Sequence, residues 1–66
     1  MKKIKEGKYK LKAPIHTDAN VRLTRGQEYH LAQRNWDIVD VYDDKVYYGA
    51  LCLADVCENF KNIKLC

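Results

Sequence analysis

Sixty-six residues make one domain and leave no room for a second. A chain this short buries only about 60% of its unfolded surface, so a large internal substrate cavity would leave too little core, which argues against an enzyme. With 47% hydrophobic residues it is composed as a folded domain and not as a disordered tail. Its net charge of +3 conceals a dipole: residues 1–12 hold six lysines against Glu6, residues 13–60 hold four basic against eight acidic side chains, and Lys61 and Lys64 follow.

Taken in chain order, residues 1–7 are basic with no apolar segment behind them and read as a mobile leader. No apolar run approaches the roughly 20 residues that span a bilayer, so neither export nor membrane insertion is expected. Over 8–13 the period is two, with Tyr9, Leu11 and Ala13 on a buried face and Lys8, Lys10 and Lys12 on a solvated one. Pro14 lacks an N–H and ends that ladder, and 15–20, with Asp18 and Asn20, reads as a loop. Val21-Arg22-Leu23 is a second extended segment. Gly26 permits a turn with positive φ, after which Tyr29 and Leu31 alternate with Glu28 and His30 in a further strand.

Gln33-Arg34-Asn35 turns the chain into a strand over 36–42 that is rich in β-formers. Val39 and Val41 share the core face, while Trp36, Ile38, Asp40 and Tyr42 share the other. Asp43-Asp44-Lys45 is a hairpin turn in which short carboxylates bond local N–H groups, and 46–52 returns as the partner strand. Asp55 followed by Glu58 resembles a capping box with Asp in place of Ser or Thr, which predicts one helical turn over 56–60. Ile63 and Leu65 end the chain as a short strand.

This order predicts a mainly all-β fold: a small SH3-like antiparallel β-barrel of about five strands with one short helical turn. The pattern Leu23-Thr24-x-Gly26-x-x-Tyr29, then a strand, Asp43-Asp44, a Tyr-containing strand and a closing Phe60, resembles a class of small SH3-like proteins encoded by phages and bacteria. The likeness covers about two thirds of the chain and consists of turn and core residues. This chain departs from it in lacking a Gly after Asp43-Asp44 and in its lysine-rich first strand. The resemblance implies an accessory protein that acts by binding.

Catalysis has thin support. Cys52, Cys57 and Cys66 are the only thiols and His16 and His30 the only imidazoles, none in a local nucleophile signature. Asp43 and Asp44, adjacent in a turn, point apart and are solvated. The odd number of cysteines, without dense spacing, suits free thiols in a reducing cytoplasm. Cys52 and Cys57 have a separation seen in zinc sites but lack a second tight pair, so neither metal nor cofactor is expected.

Two surfaces could bind. Trp36, Ile38, Asp40 and Tyr42, joined across the hairpin by Tyr47 or Tyr48 and rimmed by Asp37, Asp43 and Asp44, would take a protein partner; alternatively Trp36 plugs the end of the barrel. If the first and last strands pair, Lys8, Lys10 and Lys12 lie beside Lys64, with Lys2, Lys3 and Lys5 on the leader. That basic stripe could hold a nucleic acid, although Tyr9 is expected to point inward and away from it, and edge lysines also guard against aggregation. The favoured reading is a cytoplasmic, non-enzymatic module that inhibits or adapts a cellular protein; the alternative is a nucleic-acid-binding accessory protein.

Overall fold

Period-two alternation builds most of the molecule. The computed structural model describes residues 3–64, in the order β1 (Gly7–Lys10), β2 (Ile15–His16), β3 (Arg22–Leu23), β4 (Glu28–Gln33), β5 (Ile38–Asp43), β6 (Val46–Cys52) and α1 (Leu53–Asn59). Four strands pair antiparallel in the order β1-β4-β5-β6, and β2 pairs with β3 in a second, two-stranded sheet. The segment expected as a loop over 15–20 therefore opens with two paired residues.

Register sets the core. Leu31 stands opposite Val41, and Val39 opposite Leu51, so one face of the large sheet is aliphatic. Leu11, Leu23, Val56 and Phe60 close over it, with Tyr29 meeting Phe60 edge to face. Full burial of each such side chain contributes about 1.5–3 kcal/mol. Ile4 joins this core at 8% exposure, its N–H donating to Gln33 Oε1 (2.7 Å), a placement not anticipated for a leader.

Both margins of the large sheet are bonded to other segments. The carbonyl of Lys10 accepts from Lys61 N–H (2.9 Å), Lys12 N–H donates to Asn59 O (2.8 Å), and Leu11 forms an isolated bridge with Phe60, so the chain after the helix returns beside the first strand without adding the expected last strand. At the opposite edge Asp18 N–H donates to Ala50 O (3.0 Å) and Ala50 N–H to Asp18 Oδ1 (2.8 Å), while Thr17 Oγ1 donates to Tyr48 O (2.6 Å). These contacts occupy edges that would otherwise template aggregation.

Several boundaries differ from the sequence reading, each for a local reason. Asn35 Oδ1 accepts from the N–H groups of Asp37 (2.9 Å) and Ile38 (3.0 Å), so β5 starts at Ile38 and Trp36 stays in the bend before it. The helix begins at Leu53, whose N–H bonds Asp37 O (2.7 Å); Cys52 is its N-cap, and Asp55 lies in the first turn, where its charge suits the helix dipole. The predicted turn over 56–60 is the second half of this helix, and Phe60 ends it. Ile63 packs on the core without forming a strand; Leu65 lies outside the described residues. Asp44 (φ 49) and Lys45 (φ 73) themselves take the positive φ values of a tight hairpin, which explains how this turn dispenses with glycine.

Candidate functional site

Because Val39 and Val41 face inward, the pleat turns Ile38, Asp40 and Tyr42 outward. On the outer face His30 stands opposite Tyr42, and Tyr42 opposite Tyr47, through a β-bulge between Val41 and Tyr42. The Tyr42 and Tyr47 ring centroids are 5.3 Å apart and tilted by 57°; His30 meets Tyr42 edge-on at 6.2 Å. His30 Nε2 lies 2.9 Å from Glu6 Oε2. A shallow cleft of about 660 Å³ opens beside these rings, lined by Glu6, Lys8, His30, Ala32, Tyr42, Asp44 and Lys45.

Arg34 reaches diagonally across this face. Its Nε and Nη2 donate to the two oxygens of Asp40, and Nη2 also donates to Tyr47 Oη (2.9 Å), which donates to Asp40 Oδ1 (3.1 Å). The bond to Asp40, and then its charge, raise the Arg34 pKa above its ordinary value. Partial desolvation, followed by the bond to Asp40, raises that of Tyr47. The three side chains hold one another in place, and Tyr47 keeps 48% of its surface exposed.

The expected protein-binding residues are thus only partly brought together. Ile38, Asp40, Tyr42 and Tyr47 share the outer face. Trp36, 70% exposed, does not plug the barrel; it stands in the bend between β4 and β5. Tyr48 turns inward against the core, its ring 6.3 Å from Tyr29, and its hydroxyl donates to Asp43 Oδ2 (3.2 Å), a bond that raises the Tyr48 pKa. The acidic rim shrinks accordingly: Asp40 is engaged by Arg34 and Asp43 by Tyr48, which leaves Asp37 and the exposed Asp44. Neither Arg34 nor His30 was placed in the binding face from the sequence, where His30 was weighed only as a candidate imidazole, although period two from Glu28 places both on the face opposite Tyr29 and Leu31.

The thiols are not all free. Cys57 is disulfide-bonded and Cys52 is exposed and free, which corrects the expectation of three free thiols; Cys66 lies outside the described residues. The Cys52 thiol donates to Asp55 Oδ2 (3.2 Å), and this bond, then the carboxylate charge, raise its pKa. His16 shares a cleft of about 310 Å³ with Cys52, Asp18 and Asp55, yet Asp55 does the opposite of activating a nucleophile, which needs a depressed pKa. Among the described residues no three His, Cys, Asp or Glu side chains converge to hold a metal ion.

The lysines gather at the other margin. Lys3, Lys5, Lys8 and Lys64 line a cleft of about 530 Å³, and Lys8, Lys10 and Lys61 one of about 350 Å³. Lys12 lines neither; Lys2 lies outside the described residues. Tyr9, expected to point inward, packs against the core; its half-buried side chain also lines both clefts, with its hydroxyl donating to Lys5 O (2.6 Å). Among the described residues no helix is long and apolar enough to cross a membrane. Comparison with known proteins finds no family model, no curated protein and no solved structure that matches the chain.

Proposed function

We propose that this domain is a non-enzymatic module that binds a protein partner through the outer face of the four-stranded sheet, with Tyr47 and Tyr42 as anchors and Ile38, His30 and the Arg34–Asp40 pair around them. The observation that carries this reading is the uncovered run of rings from His30 through Tyr42 to Tyr47, on a domain whose core is already filled by other residues. Aromatic side chains held rigid by neighbours bind with little loss of rotamer freedom, and they dominate interface energies. Trp36 and Val46 are exposed near the two ends of β5. The resemblance to small SH3-like proteins of phages and bacteria supports an accessory role, with inhibition or adaptation of a host protein as the mechanism.

The test is capture of a partner from native-host lysate on the immobilised domain, followed by titration of the identified partner. Tyr47→Ala, at an exposed position, should keep native circular dichroism and weaken binding about 30-fold, equivalent to about 2 kcal/mol. Arg34→Ala should weaken it less, by freeing the Tyr47 ring. Wild-type affinity in Tyr47→Ala and Tyr42→Ala together would remove the aromatic face from the interface.

A further inference from the structure

Strand β1 lies at the edge of the sheet remote from Tyr47; its Lys8 borders the cleft beside His30, while Lys10 and the residues after the helix lie beyond the protein-binding face. We infer that this margin is a second site, which takes the phosphate backbone of a single-stranded nucleic acid.

The first argument is charge. Lys3, Lys5, Lys8, Lys10, Lys61 and Lys64 line two clefts flanking Tyr9, and the carboxylates lining them are Glu6 and Glu28. Glu6 Oε2 lies 2.9 Å from His30 Nε2, and Glu28 stands opposite Lys10. Among the described residues no ion pair engages a lysine, and the six lysines outnumber the two carboxylates at this margin, so its net charge is positive. A polyanion gains by neutralising it and by releasing its own condensed counterions.

The second argument is shape. Along a strand, side chains on one face recur every two residues, about 7 Å apart, so Lys8 and Lys10 can each take a separate phosphate. The chain after the helix returns along the same strand through the Lys61 N–H to Lys10 O bond, and this brings in Lys61 and Lys64 from the far end of the sequence. Asn62, in left-handed backbone (φ 65), lines both clefts, and so does Tyr9, which packs against the core and leaves part of its surface in them. Lysines in two clefts that share a partly exposed tyrosine suit a single strand, whose bases are splayed. Reading a duplex instead calls for a helix or ribbon that projects into a groove, and this margin has none.

The experiment is fluorescence anisotropy of a labelled 20-mer oligothymidylate, with a 20-bp duplex in parallel, from 50 to 200 mM salt. With five or six phosphates neutralised, the slope of log K against log salt should be about −3.5 to −4, so a fourfold rise in salt weakens binding roughly 100-fold or more. Lys8→Gln with Lys10→Gln should make the slope shallower by about 1.4, and so should Lys61→Gln with Lys64→Gln. Lys12→Gln should leave it unchanged. Tyr9→Leu, checked for native circular dichroism, should cost several-fold in affinity at constant slope. Tyr47→Ala should bind as wild type, so failure of this site and failure of the aromatic face are read separately. No binding at 50 mM salt, tighter binding to the duplex, or a slope indifferent to the four lysine substitutions would overturn the assignment.

Discussion

Gly49→Ala should be close to lethal for the fold, and the reason is two costs at one atom. Gly49 has φ +116, a conformation that side chains other than glycine adopt only under strain of about 1–2 kcal/mol. A Cβ there would also stand 2.6 Å from Thr17 Oγ1, 2.8 Å from Asp18 Oδ1 and 3.0 Å from Ala19 Cβ. Those two oxygens are in use: Thr17 Oγ1 donates to Tyr48 O, and Asp18 Oδ1 accepts from Ala50 N–H. Displacing them forfeits two bonds at about 1 kcal/mol each, more for Thr17 because it is buried. The total is about 3–4 kcal/mol, against roughly 3–10 kcal/mol of stability for a domain of this size. Gly26 is the control, because it has φ +88 but open space where its Cβ would go, so Gly26→Ala should cost only the strain, about 1–2 kcal/mol. Urea unfolding of both variants measures the difference. If Gly49→Ala is no worse than Gly26→Ala, the packing of residues 17–19 against β6 is not what holds that edge.

Cys52 should alkylate more slowly at pH 8 than an unperturbed thiol, because its raised pKa lowers the thiolate fraction there; Asp55→Asn should shift the rate profile toward lower pH, and an unchanged profile would detach the thiol from that carboxylate. Trp36→Ala should alter stability by no more than about 0.5 kcal/mol, whereas loss of a barrel plug would cost about 3–5 kcal/mol, so a urea midpoint near wild type confirms the bend placement. Reducing the Cys57 disulfide should lower the urea midpoint while circular dichroism stays native, since the aliphatic core lies in the sheets; loss of the β spectrum on reduction would contradict this.

Much of the fold was legible because its signals are local. The alternation around Val39 and Val41 fixed the inner face, and Asp43 to Lys45 marked the hairpin. Gly26 announced its positive φ by breaking the pattern between Leu23 and Tyr29. What escaped depends on contacts distant in sequence. Asp18 reaches Ala50 across 32 positions, and Leu53 is fixed as the helix start by Asp37, so neither could be read from neighbours. The lysine alternation was plain, but that Tyr9 lines clefts beside Lys61 and Asn62 follows only from the return of the chain after the helix.

The choice between Tyr47 and Tyr48 turns on one extra residue. In a regular ladder Tyr48 would stand opposite Tyr42, because Gly49 is opposite Val41, and Tyr47 would face the core. The bulge makes Tyr48 the surplus residue and brings Tyr47 opposite Tyr42 instead. Each tyrosine then finds partners that only its own side supplies: Asp43 and the Tyr29 ring for Tyr48, Arg34 and Asp40 for Tyr47. Gly49, with its positive φ, follows directly after the surplus residue, and residues 17–19 occupy the space where a side chain would be. The glycine that lets the edge close is therefore also the one that lets Tyr47 face outward, and the stability of this domain and the make-up of its binding face are coupled through a single backbone position.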